Sequence, residues 1–206
     1  MQSLIPHTRA FSARIRDRAD ERTRFGRLAQ GQSPEALFIT CSDSRVVPAL
    51  FTGAEPGQLF ELRTAGNAVP PYPRSGAPSG EAATIEYAVC VLGVPEVVVC
   101  GHSHCGAVGA RVRGDDLAEL PAVAGWLAAQ LPPGAELAAG EDESAQADVS
   151  AAVQRHVRTQ LARLRAYPCV AEREEAGRLT LRGWFYAVDT GLVLEHRADV
   201  DAFLPL

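Results

Sequence analysis

The chain has 206 residues, of which 47% are apolar and 22% charged, and a formal net charge of −5. That is the size and balance of one globular domain with a real core, and the acidic charge argues against a broad phosphate- or nucleic-acid-binding surface. All twenty basic residues are arginine, which excludes lysine nucleophiles and Schiff bases, and no apolar run is long enough to span a bilayer.

The N-terminal MQSLIPHTRAF lacks the apolar stretch of a secretory signal, so a cytoplasmic location is expected. Residues 3–20 are amphipathic, and RADERTRFGRLAQ (18–30) reads as a charged helix that stops at Gly31. ALFITC (36–41), GQLFELR (57–63) and PEVVVCG (95–101) are apolar, β-branched runs of the kind that form buried parallel strands. Residues 80–91 follow a helical period with Ala83, Tyr87 and Val91 on one face. LPPGAELAAGEDESAQAD (131–148) reads as a surface loop. Residues 149–165 are helical, with Val153, Val157, Leu161 and Leu164 on one face and arginines opposite. RLTLRGWFYAV (178–188) is a fourth strand, and GLVLEH (191–196) returns from it as a hairpin or edge strand. The alternation predicts an α/β fold: a mainly parallel central sheet of four strands with an added edge strand, flanked by helices. Residues 1–206 read as a single domain without internal repeats.

Five cysteines in a chain without a signal do not suggest a disulfide framework. Cys90, Cys100 and Cys169 sit among apolar residues and are assigned to packing. His7 and His196 lack ligand-like neighbours. The other two cysteines stand at strand ends. The first strand runs into Cys41-Ser42-Asp43-Ser44-Arg45, the third into Gly101-His102-Ser103-His104-Cys105-Gly106. Ligands of open parallel sheets sit beyond the carboxyl ends of the strands, so Cys41, His102 and Cys105 can converge there. Two thiolates and an imidazole suit zinc, and three protein ligands leave the fourth position open, as in catalytic sites. One buried Cys at a strand end is more often plain core; it is the joint pattern that points to a metal. Asp43 and Arg45, two apart, face the same side of an extended segment, and the guanidinium keeps the carboxylate ionised. Such an Asp can orient a zinc-bound hydroxide, or bind the zinc and block it. The plainer alternative is a helix cap with a surface ion pair.

CSDSR, followed about sixty residues later by GHSHCG, resembles the β-class carbonic anhydrases. EPGQLFELRTAGNAVPP (55–71), GEAATIEYAV (80–89) and GWFYAVDTGLV (183–193) resemble the family's intervening and closing segments, so the likeness runs from about Leu4 to Glu195. It implies a zinc enzyme, one Zn2+ per subunit, that interconverts CO2 and bicarbonate by attack of zinc-bound hydroxide. It implies Cys41, His102 and Cys105 as ligands and Asp43 and Arg45 as the dyad beside the bound water. Gly106 would offer a backbone N–H to substrate, and Gln32 would hydrogen-bond bicarbonate from a neighbouring subunit. Phe60 and Tyr87 would line the apolar pocket of the same or a partner subunit, although core packing is their simpler reading. Residues 1–31 would form a helical arm across a partner, in a homodimer or homotetramer, with no nucleic acid or membrane involved; a helix lying on a membrane surface is the alternative for this arm.

The chain departs from one bicarbonate-inhibited branch of the family, where a Trp precedes the first zinc cysteine by three residues, paired with an Arg and a Tyr. Phe38 stands there, with Arg63 and Tyr186 matching the other two. Phe has no N–H to donate, so Asp43 is expected off the zinc. His104 is a candidate proton shuttle or a plain turn residue. His156 is a helix-face residue with no role assigned. Two other activities compete: hydrolysis of CS2 or carbonyl sulfide on the same scaffold, and a catalytically silent zinc-binding scaffold, which the intact Asp43–Arg45 pair disfavours.

Overall fold

The computed structural model describes residues 4–73, 79–132 and 145–206, without the side chains of 145–148. Its strands are β1 (Ala36–Cys41), β2 (Leu59–Thr64), β3 (Glu96–His102), β4 (Thr180–Tyr186), β5 (Val193–Arg197) and β6 (Ala202–Pro205). They form one sheet in the order β2-β1-β3-β4-β5-β6. The first four are mutually parallel, and β5 and β6 add on antiparallel. β6 is an edge strand beyond the five expected. Its four residues are too short for a period-2 pattern to register.

β1 is buried at all six positions and β3 from Val97 onward. Strands covered on both faces show an unbroken apolar run rather than alternation, which is how the sequence marks them. The helices are α1 (Leu4–Asp17), α2 (Ala19–Leu28), α3 (Pro48–Thr52), α4 (Gly80–Glu86, continued by a π-helical turn over Tyr87–Leu92), α5 (Gly106–Arg113), α6 (Pro121–Gln130), α7 (Ala145–Arg165) and α8 (Pro168–Glu175).

α7 lies against β3 and β4 with Val153, Val157, Leu161 and Leu164 buried, the face expected for it. Two glycines let it approach. A Cβ on Gly101 would collide with Val153 and stand 2.8 Å from Val157 Cγ2; one on Gly183 would stand 2.9 Å from Leu161 Cδ1. The opposite face of the sheet carries a smaller cluster of Phe38, Val98, Cys100 and Tyr186. There Phe38 meets Trp184 edge-on at 5.8 Å, and Phe51 of α3 stacks on Tyr186 at 4.5 Å.

Several sequence expectations need correction. The 18–30 helix starts at Ala19, because Arg18 is extended and breaks it from α1. Over 80–91 the buried stripe is Ala82, Ile85, Ala88 and Val89, whereas Ala83, Tyr87 and Val91 face outward. Cys90 is exposed, not packed. Of the loop expected at 131–148, residues 133–144 lie outside the described residues, and 145–148 belong to the first turn of α7. Among the described residues no helix is long and apolar enough to cross a membrane.

Candidate metal centre

β1 and β3 are neighbours, yet the chain leaves β1 for β2 on one side of it, and leaves β3 for β4 on the other. The connections diverge and open a crevice beyond the carboxyl ends of both strands, the usual ligand position in such sheets. Cys41 is the last residue of β1 and His102 the last of β3. His104, in the left-handed region at φ 56, turns the chain sharply, so that Cys105 comes back as the N-cap of α5.

One ligand atom from each of Cys41, His102 and Cys105 lies within 4.8 Å of the others, and all three residues are buried. His102 Nδ1 lies 2.8 Å from the Ser103 carbonyl, which makes Nδ1 the protonated nitrogen. Its Nε2 is buried and has no partner. A buried acceptor left unpaired is costly. A lone pair aimed into a cluster of two sulfurs is what a soft or borderline cation would satisfy, so the residues fit zinc.

The thiols interact. A hydrogen bond from Cys105 holds the Cys41 thiol well below its usual range against the effect of burial, helped by the backbone N–H groups of Gly66 and Asp43. That same contact, with burial and the charge on Cys41, pushes Cys105 up; the N–H groups of Val108 and Ala107 at the start of α5 oppose this. The two shifts run in opposite directions, so Cys41 gives up its proton more readily than Cys105.

Asp43 lies at the rim. Its Oδ1 accepts from Arg45 N at 2.9 Å and Arg45 Nε at 3.0 Å, and Oδ2 accepts from Arg45 Nη2 at 2.7 Å. These bonds are the main cause that keeps its carboxyl far below the usual carboxylate range. Arg45 Nη2 also donates to the His104 carbonyl at 3.0 Å, tying the two strand-end loops together. Arg63 braces the first loop from β2: Nε and Nη2 donate to Cys41 O at 3.1 and 2.8 Å, and Nη2 also to Asp43 O and Val46 O at 2.9 and 2.7 Å.

Gly106 opens α5 beside Cys105 and is exposed, with nothing within 4 Å of the place a Cβ would take. Phe60 and Tyr87 do sit together, ring centroids 6.0 Å apart. They do not join this site. Phe60 is level with Leu37, four positions back from Cys41, or roughly 13 Å along the strand. Gln32 is exposed ahead of β1, at the other end of that strand from Cys41. His104 is exposed. Sequence reasoning passed over Arg63 as a brace and the buried His156–Gln160 pair on α7. For the pair a signal existed: polar residues four apart inside the apolar stripe of a helix.

A buried cluster of soft donors that could hold a metal, at the switch point of a parallel sheet, is the arrangement of a candidate metalloenzyme site, and similarity to known proteins narrows the class. A family model described as carbonic anhydrase matches residues 36–193. The carbonic anhydrase of Pseudomonas aeruginosa is 52% identical over 169 residues, 82% of this chain and 76% of that protein. The solved β-carbonic anhydrase CcaA superposes with a TM-score of 0.86 at 36% identity, covering 99% of this chain and 100% of that one. One of two tetrameric β-carbonic anhydrases from Sordaria macrospora superposes with a TM-score of 0.72 at 29% identity, covering 93% of each chain. The chain belongs to the β-carbonic anhydrase family and is an enzyme of that class.

Proposed function

We propose that this protein catalyses the reversible hydration of CO2 to bicarbonate and a proton, with one Zn2+ per subunit held by Cys41, His102 and Cys105. The observation that carries the reading is the unpartnered His102 Nε2, buried within reach of two thiols and 3.9 Å from the Asp43 carboxylate. When bound, zinc supplies a Lewis acid that lowers the pKa of water toward neutrality.

The chain's own residues do the rest. Asp43, held ionised by Arg45, accepts a hydrogen bond from the attacking oxygen and turns its lone pair toward the CO2 carbon. Arg45 fixes the carboxylate so that it points past the ligand cluster rather than into it. The Gly106 N–H receives an oxygen of CO2 as negative charge grows there. With Phe38 rather than Trp at its position, Asp43 stays engaged by Arg45 and would not serve as a further metal ligand.

Gln32, Phe60 and Tyr87 complete the pocket of a partner subunit, since they stand away from the metal ligands of their own chain. The α1–α2 arm supports an assembly. It contributes no buried residue, exposes Leu4, Ile5 and Phe11, and meets the body through Arg24–Glu55 at 2.6 Å. A homodimer or homotetramer follows from the reading. Five cysteines with no disulfide among the described residues suit the reducing cytoplasm.

The test is stopped-flow CO2 hydration with metal analysis on the wild type and Asp43→Ala. The reading requires a wild type that holds zinc and turns over CO2, and a variant that keeps zinc but loses turnover. A zinc-loaded wild type inert toward CO2 but active on carbonyl sulfide would replace it.

A further inference from the structure

His156 is one of four side chains, from α7 and the start of α8, that grip a single short piece of backbone. His156 Nε2 lies 2.8 Å from Gly66 O. Gln160 Oε1 accepts from Val69 N at 2.8 Å. Arg163 Nη1 donates to Val69 O at 2.9 Å, and Tyr167 Oη donates to Pro70 O at 2.8 Å. The spacings of four and three place His156, Gln160 and Arg163 on one face of α7, and Tyr167 follows just past its end as the N-cap of α8.

His156 and Gln160 are fully buried and bonded to each other, Gln160 Nε2 donating to His156 Nδ1 at 3.2 Å. That bond settles the tautomer: Nδ1 accepts, so Nε2 carries the proton and donates to Gly66 O. Burial, the largest influence, pushes the imidazolium pKa down to about 4, so the ring is neutral at physiological pH. Their apolar neighbours on α7, Val153, Val157 and Leu161, show what plain packing uses here. Two buried polar side chains cost desolvation that only their hydrogen bonds offset.

The backbone they grip is unusual. Gly66 and Asn67 are consecutive left-handed residues, at φ 75 and 47. The N–H of Gly66, whose carbonyl His156 holds, points at Cys41 Sγ, 3.4 Å away.

We propose that His156 and Gln160 are positioning residues for the metal site: they lock the Gly66–Asn67 turn and keep the Gly66 N–H aimed at the Cys41 sulfur. The inference rests on the reading of Cys41 as a metal ligand. A hydrogen bond donated to a ligating thiolate draws charge from the sulfur and sets how strongly it donates to the ion. The grip runs from helix to turn to sulfur without touching the substrate.

The test compares His156→Leu, His156→Gln and Gln160→Met with wild type in the full-length protein. Hydrogen exchange of the metal-free protein is read first. In His156→Leu the Gly66 amide exchanges roughly tenfold faster while β1 and β3 amides keep their wild-type rates. In His156→Gln, whose amide can replace the imidazole donor, Gly66 stays protected. Gln160→Met speeds the Val69 and Gly66 amides together, and decides the matter if His156→Leu does not fold. Co2+ is the second probe: the thiolate-to-cobalt charge-transfer band moves to lower energy in His156→Leu and returns in His156→Gln. Wild-type Gly66 exchange and an unmoved band in the variants overturn the proposal. A wild type that binds neither cobalt nor zinc overturns the metal reading and with it the effect on the sulfur, while the exchange rates still decide whether His156 holds the turn.

Discussion

Asp43 Oδ2 stands 3.9 Å from His102 Nε2 and makes no hydrogen bond to it, because with the ring proton on Nδ1 both atoms are acceptors, while both carboxylate oxygens accept from Arg45. The carboxylate is therefore aimed by its cationic neighbour rather than by the ligand cluster. Replacing Asp43 with Ala is expected to cut kcat/KM for CO2 hydration by about 100-fold or more, with zinc content unchanged. Stopped-flow kinetics beside metal analysis reads both numbers.

Arg45 can be separated from Asp43. In Arg45→Leu the carboxyl loses its main cause of acidity and its pKa rises toward the ordinary value. It is still ionised at pH 7, so the neutral-pH loss there is one of aim, about tenfold. Below pH 5 the variant loses further activity as Asp43 protonates, a fall the wild type does not share. A pH–rate profile that runs parallel to wild type down to pH 4.5 would count against this division of roles.

His156 links stability to pH. Its unfolded pKa is near 6.5 and its folded value about 4, lowered chiefly by burial and also by Arg163, with Gly66 O and Cys41 opposing. The unfolded chain binds the proton first. The contribution is therefore whole above pH 6.5 and is lost as pH falls toward 4, by roughly 3 kcal/mol. Urea melts of the metal-free protein should show the gap between wild type and His156→Gln closing over that window. A constant gap from pH 7 to 4 would mean that the ring does not stay neutral on folding.

Shared pockets predict complementation. Asp43→Ala and Tyr87→Ala subunits, each nearly inactive alone, should recover about one quarter of wild-type activity when co-refolded. Half of randomly paired dimers are mixed, and each of these holds one intact site out of two. No recovery, with mixed dimers shown by native mass spectrometry, would return Tyr87 to its own subunit.

Gly101→Ala tests the approach of α7 to the sheet. Its Cβ would meet Val153 and Val157 side chains fixed in the core, at an expected cost of about 2–3 kcal/mol. Because Gly101 precedes His102, zinc affinity should fall along with the melting temperature.

The sheet was readable because β1, β2 and β3 carry apolar runs, and the Cys41–His102–Cys105 cluster because its members stand at or just past the ends of β1 and β3. α3, α6 and α8 were missed although each opens with a proline, Pro48, Pro121 and Pro168. α3 and α8 are short, and α6 is apolar around most of its circumference, so neither length nor period marked them. The outward turn of Tyr87 and Val91 was hidden because the π-helical turn shifts phase by a residue just there. Arg63 was legible as a residue but not as a brace, since its three carbonyl partners, Cys41, Asp43 and Val46, lie 17 to 22 residues away.

That brace has a thermodynamic consequence. Arg63 is a tethered cation around which the carbonyls of the Cys41–Val46 loop already converge, so the loop has its template before any ion arrives. Loading the site then freezes little fresh chain. Its entropy balance would fall on shed water and on protons released by the thiols, and the heat capacity change on metal uptake should be that of a rigid receptor rather than of a folding event.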